Sequence, residues 1–220
     1  MESMDNKIIS TVKKEVFSLF GKSQLLKDNE RITVLLEAKE ILQRLAFGIT
    51  PDCSIDCNRL VFYNLAYVCM EMQDNTSARF YINNIKKIID SNEEYKNNNY
   101  GNYCNIMNIY SECNKLDVNE RIRINEDNLK YYEENNIEDN AFISKSNICL
   151  LKRQFDEMID ILTNIHIRIM RCSREEEELM LKLEGASRGI FEDLKKYGTQ
   201  ELCEEALETL ENASYLHQIV

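Results

Sequence analysis

The sequence predicts an all-α protein built from antiparallel helical hairpins, and three observations support this prediction. The chain has 220 residues but only one proline and six glycines, too few turn-forming residues for an all-β protein. Apolar residues recur every three or four positions along most of the chain, the spacing of one face of an α-helix. Short groups of capping residues interrupt this pattern at intervals, so that one helix follows another.

The N-terminal part of the chain is predicted to form a first hairpin. The apolar face of residues 4–20 ends at Gly21, and that of residues 30–47 ends at Gly48, with Pro51 shortly after it. We expect this hairpin to cover the end of a helical array, because a bare terminal repeat would expose its core. The alternative is a small helix-turn-helix, which the sequence disfavours because no short helix has a basic recognition face.

Residues 60–90 are predicted to form the central hairpin. Both halves carry apolar residues at helical spacing, and a polar turn joins them. Asp74 or Asn75 in this turn is expected to cap the second helix by accepting backbone N–H bonds. A short loop, residues 49–58, separates the central hairpin from the first one.

Three further hairpins are predicted, from about Tyr103 to Asn135, over residues 139–171, and over residues 173–217. Asp117 and Ser173 each stand three residues before a glutamate, as at the start of a capped helix. Matching positions recur at about forty residues, and about ten helices are expected in total.

The central hairpin resembles a tetratricopeptide (TPR) repeat. The residues at the positions of that repeat pattern are Phe62, Leu65, Ala66, Ala78 and Ile82. Cys69 replaces the tyrosine of the pattern, and the closing proline is missing. The resemblance implies a right-handed superhelix of TPR-like hairpins. It would consist of an N-terminal cap, residues 1–57, and a repeat domain, residues 58–220, in one continuous structural unit.

An asparagine recurs at matching positions of three successive first helices. Asn64, Asn105 and Asn147 each precede an apolar Leu or Ile, and Tyr67 and Asn108 follow one turn later in the first two helices. In TPR arrays these helices line a concave groove, so the five residues are predicted to bind a peptide there. An amide can both donate and accept, and can therefore hold peptide backbone without reading its sequence. The alternative is that these are solvated positions in an asparagine-rich chain.

This combination is similar to the peptide-sensing regulators of low-GC Gram-positive bacteria and their phages, the Rap, PlcR, PrgX and AimR group. The resemblance covers about residues 58–217 and lies in the architecture and the groove asparagines. It implies a short signalling peptide as the ligand. Most members carry an N-terminal DNA-binding or effector domain, for which residues 1–57 are too short and too neutral. The chain would then be a receptor module that acts on another protein.

The charge of the chain limits its partners. The net charge is −11, and residues 49–220 carry 19 basic against 31 acidic side chains. Such a surface repels phosphate backbones and anionic membranes, so we expect no direct nucleic-acid binding by the repeat region and no membrane binding. A peptide or protein segment is the expected partner, and a homodimer is compatible with the sequence. The polar N-terminus lacks the apolar stretch of a secretory signal, which favours a cytoplasmic location with reduced cysteines.

The sequence predicts no catalytic residue, no metal site and no cofactor. Cys53 and Cys57 are not spaced as a two-residue zinc knuckle, and no second cysteine pair follows. Cys172 lies near His166 in the sequence without an evident third group, and His166 itself is interpreted as a partly buried structural residue. Two functions stay open, a peptide-binding regulator and a general protein-interaction scaffold or adaptor. An enzyme or metalloprotein is the third alternative and has the least support.

Overall fold

The computed structural model describes residues 3–24, 26 and 28–217. Apart from the turns between helices, these residues are helical. The predicted all-α class is therefore confirmed. Contacts group the chain into two compact units, Met1–Lys115 and Leu116–Val220. The right-handed superhelix and the division into residues 1–57 and 58–220 stay predictions.

The first unit consists of helices packed around two apolar clusters. In chain order they are α1 (Met4–Thr11), α2 (Phe17–Gln24), α3 (Asp28–Phe47), α4 (Ile55–Glu71), α5 (Asn75–Asp90), α6 (Glu93–Asn98) and α7 (Tyr100–Cys113). A π-helical segment, Val12–Val16, joins α1 to α2.

Two predicted boundaries in this unit were wrong. Helix α2 continues through Gly21, where a Cβ atom would meet nothing within 4 Å, so this glycine neither ends the helix nor is required by packing. Helix α4 begins at Ile55, inside the segment predicted as a loop. The reason is a cap: the hydroxyl oxygen of Ser54 accepts a hydrogen bond from the backbone N–H of Cys57 at 3.2 Å.

The N-terminal helices share a core with α4. Ile8 from α1, Leu42 from α3 and Leu65 from α4 are buried in one cluster. Two polar contacts join the N-terminal helices to the two ends of α4. The Asp5 carboxylate accepts from the backbone N–H of Ser54, just before α4, at 3.0 Å. Lys39 donates to Asp74, in the turn after α4, at 3.2 Å. The first hairpin thus packs directly on the central one.

Helices α4 and α5 form the predicted central hairpin. The Asp74 carboxylate caps α5 by accepting from the backbone N–H of Ser77 at 3.1 Å, which confirms the predicted cap. The turn places Gln73 in the left-handed region, with φ of 61°. Ala66 and Ala78 are both fully buried in the second cluster, which also takes in apolar residues of α7.

The second unit is built around α10. Its helices are α8 (Val118–Glu134), α9 (Glu138–Lys152), α10 (Phe155–Met170), α11 (Glu177–Tyr197) and α12 (Gln200–His217). Helix α10 packs against α9, α11 and α12, and its buried face carries Met158, Leu162 and Ile165. No helix among residues 3–24, 26 and 28–217 has the length and apolarity that a membrane span requires.

The predicted hairpin boundaries after Asn135 and at Ser173 are confirmed. Asn136, between α8 and α9, has φ of 56°. The Ser173 capping box is present, and it starts a 3-10 turn, Arg174–Glu176, that leads into α11. At Gly198 a Cβ atom would lie 2.7 Å from the carbonyl oxygen of Leu194, so a larger residue would force this turn apart.

Candidate functional site

The five predicted peptide-binding residues lie in both units. Asn64 and Tyr67 are on α4, Asn105 and Asn108 are on α7, and Asn147 is on α9 of the second unit. Helices α4 and α7 contact each other within the first unit. The structure therefore brings together the two helices that carry four of these residues.

Asn64 lies inside the first unit. The residue is only 5% exposed. Its Nδ2 atom donates a hydrogen bond to the carbonyl oxygen of Leu60 at 2.6 Å. A bond to the carbonyl four residues earlier keeps the amide within its own helix. In this arrangement Asn64 presents almost no surface to a ligand.

Tyr67, on α4, is partly buried against the N-terminal helices. Its ring lies edge-on to Phe20, with the ring centroids 5.4 Å apart. Burial, together with the nearby Glu71 carboxylate, raises the pKa of the Tyr67 hydroxyl to about 12. The ring thus contributes to packing, and the hydroxyl is neutral at physiological pH.

Asn105 and Asn108 are half-buried on α7. They alternate with Ile106 and Ile109, which are buried in the second apolar cluster of the first unit. These two isoleucines hold the helix against α4 and α5. The amides are consequently carried on a firmly packed helix while part of their surface faces outward.

Asn147 belongs to a polar layer between α8 and α9. Its Nδ2 atom donates to the Oδ1 atom of Asn125 at 3.2 Å. The amide of Asn125 in turn donates to the carbonyl oxygen of Arg121 at 2.9 Å. Asn128 on α8 and Ser144 and Ser146 on α9 are also buried.

The sequence analysis missed Asn125, Asn128, Ser144 and Ser146. A signal was present, because Asn125 and Asn128 are three apart and in line with the buried Tyr132, the spacing of one helix face. The hydroxyls of Ser144 and Ser146 are buried and have no hydrogen-bond partner within the described part of the chain.

A different group of residues has the composition of a metal site. The side chains of Asp5, Cys53 and Cys57 converge so that one ligand atom from each lies within 4.8 Å of the other two. Burial, with the Asp5 carboxylate beside it, raises the pKa of the Cys57 thiol to about 12. The sequence analysis did not connect Asp5 to the two cysteines, because it comes from a different helix.

His166 is partly buried on α10, as predicted. Its Nε2 atom lies 3.1 Å from the hydroxyl of Ser187 on α11, and burial lowers the pKa of the ring. Both observations favour a neutral imidazole that links two helices. Cys172 does not pair with this histidine and instead accepts from the Arg168 guanidinium at 3.4 Å.

The geometry thus offers two surfaces with chemistry of their own, the half-buried amides of α7 and the Asp5–Cys53–Cys57 cluster. Comparisons of the chain with protein-family models, with curated proteins and with solved structures return no match, and the TPR-like family resemblance stays a prediction.

Proposed function

We propose that this chain is a non-enzymatic binding module, a regulator that holds a short peptide against its helical hairpins through asparagine side chains. The observation that carries the proposal is the placement of Asn105 and Asn108 on α7. Both are half-buried beside isoleucines that anchor the helix in the core. Partly exposed amides on a firmly packed helix have the donors and acceptors that the N–H and C=O groups of an extended chain require.

The charge of the molecule supports a particular kind of ligand. With a net charge of −11, the chain attracts basic segments and repels acidic ones, whereas neutral segments are neither attracted nor repelled. Hydrogen bonds to peptide backbone carry little sequence information, so the side-chain specificity would come from pockets around the amides. Tyr103, whose ring lies 4.0 Å from the Lys96 ammonium, is a candidate wall for such a pocket.

The other three predicted contacts contribute differently. Asn64 is hydrogen-bonded within α4, Tyr67 packs on Phe20, and Asn147 pairs with Asn125. A ligand would have to displace these bonds in order to use them. The proposal rests on the α7 amides because both are only half-buried and present part of their surface to solvent.

The test is native mass spectrometry of the protein purified gently from its own host. A bound species of peptide mass, released on denaturation and less abundant in the Asn105→Ala variant, would support the proposal. Asn119→Ala, an exposed position on α8, is the matched control and should retain the species. A bare chain that captures a full-length protein equally well with either variant would instead support the second candidate, a general scaffold or adaptor.

A further inference from the structure

Three segments of the N-terminal region meet at one point. Asp5 lies in the first turn of α1, Cys53 in the loop before α4, and Cys57 in the first turn of α4. The carboxylate and the two sulfur atoms lie within 4.8 Å of one another. Cys57 is fully buried, while Asp5 and Cys53 are half-buried, so the cluster is anchored in the core and open to solvent on one side.

Hydrogen bonds hold each member of this cluster in place. The Oδ2 atom of Asp5 accepts from the backbone N–H of Ser54 at 3.0 Å. The Cys53 sulfur accepts from the backbone N–H of Thr50 at 3.4 Å. The position of Cys57 is set by the Ser54 cap of α4, which engages its backbone N–H. Outer bonds of this kind orient ligands and stabilise the charge on a metal-bound thiolate.

We propose that Asp5, Cys53 and Cys57 form a binding site for a thiophilic divalent cation of the Zn²⁺ type. Thiolate sulfur selects such ions over Mg²⁺ and Ca²⁺, and a carboxylate oxygen is an accepted third ligand. Three protein ligands leave a fourth tetrahedral position for water, on the side of the cluster that faces solvent.

The size of the cluster fits this ion. With Zn–S bonds of about 2.3 Å and Zn–O bonds of about 2.0–2.2 Å, neighbouring ligand atoms on a tetrahedral ion lie about 3.5–3.8 Å apart. The atoms here are no more than 4.8 Å apart. Closing that difference requires the two atoms of a pair to approach each other by at most about 1.0–1.3 Å, which small side-chain rotations can supply.

The metal would bind between side chains that already lie close together. The Asp5 carboxylate lies within 4.8 Å of both sulfur atoms. On binding, each thiol gives its proton to solvent and its sulfur forms a bond to the cation. The two released protons make the affinity rise with pH. A bound ion would join α1 to the start of α4 and stabilise the first unit by mass action.

The experiment uses the full-length chain, reduced and treated with a chelator, and then titrated with Co²⁺ and Zn²⁺. One ion per chain and a thiolate-to-Co²⁺ charge-transfer band, displaced by Zn²⁺, are expected. Zn²⁺ should also raise the melting temperature. Cys53→Ser and Asp5→Asn should each weaken Zn²⁺ binding at least about tenfold, and because both positions are half-buried these variants are expected to fold.

Cys203→Ser is the matched control, a half-buried cysteine on α12 that should leave binding unchanged. Circular dichroism verifies that each variant keeps its helices. If the folded, reduced wild-type chain binds no Co²⁺ or Zn²⁺, the proposal is wrong. It is equally wrong if Cys53→Ser and Asp5→Asn bind the ion as tightly as the wild type does, or if Cys203→Ser is the variant that loses it.

Discussion

The Nδ2 atom of Asn147 donates a hydrogen bond to the Oδ1 atom of Asn125 at 3.2 Å and thereby joins α9 to α8. Asn125 is only 3% exposed, and its own amide donates to the carbonyl oxygen of Arg121. A residue that the sequence assigns to ligand binding thus satisfies a buried polar group of its neighbouring helix. Its first contribution in this structure is to the second unit itself.

We therefore expect Asn147→Ala to destabilise the chain. The substitution leaves the Asn125 oxygen buried without this donor, a loss that costs about 1–3 kcal/mol. Urea denaturation followed by circular dichroism measures the change in the free energy of unfolding. Asn119→Ala, an exposed position on the same helix as Asn125, should change it by less than about 0.5 kcal/mol. Equal stabilities of the two variants would show that the pair contributes nothing.

Asn105→Ala is expected to weaken ligand binding. Loss of the amide leaves backbone groups of a bound peptide unpaired, which costs roughly 1–2 kcal/mol of affinity. Calorimetry with the species that co-purifies with the wild-type chain gives the affinities of both proteins. An unchanged affinity in a folded Asn105→Ala variant would remove this residue from the binding site.

Ala78 requires a small side chain. It is fully buried in the cluster that also contains Ala66 and Ile82, where α4 packs against α5. Ala78→Leu adds volume to a filled core and is expected to lower the free energy of unfolding by about 1–3 kcal/mol. Phe80→Leu is the control on the same helix, because Phe80 is 62% exposed and its change should have little effect. A stable Ala78→Leu variant would indicate that the two helices pack less closely than the structure has them.

Glu176 makes the stability depend on pH. The backbone N–H of Ser173 and the Arg168 guanidinium lower the pKa of its carboxyl from the ordinary 4.5 to about 2 in the folded chain. Since the folded pKa is the lower one, the ionised carboxylate stabilises the fold above pH 4.5, and this contribution is lost as the pH falls towards 2.

Between pH 4.5 and 2, the Glu176→Gln variant should therefore lose less stability than the wild type does. Urea midpoints measured at several pH values compare this variant with the wild type and with Glu177→Gln, an exposed neighbour. If the stability of Glu176→Gln falls with pH as steeply as that of the wild type, the role assigned to the Ser173 and Arg168 contacts is wrong.

Many helix boundaries could be predicted because their signals are local. Asp74 and Ser173 satisfy backbone groups only three residues away. A Gly or Asn at a turn indicates the backbone conformation of that same residue. Gly21 shows the limit of such signals. Its lack of a side chain permits a helix end, but the surrounding helix continues because its apolar neighbours have a core to pack on.

The sequence by itself determined the helical class, the hairpin turns and the buried stripes, since these depend on periodicity and on bonds within one helical turn. Tertiary structure alone decided where the polar side chains go. Asn147 reaches a partner 22 positions away, and Asp5 reaches Ser54 across 49. Helical spacing places a residue on a face, but only the packing of one helix on another decides whether that face meets a ligand, a buried amide or a pair of thiols.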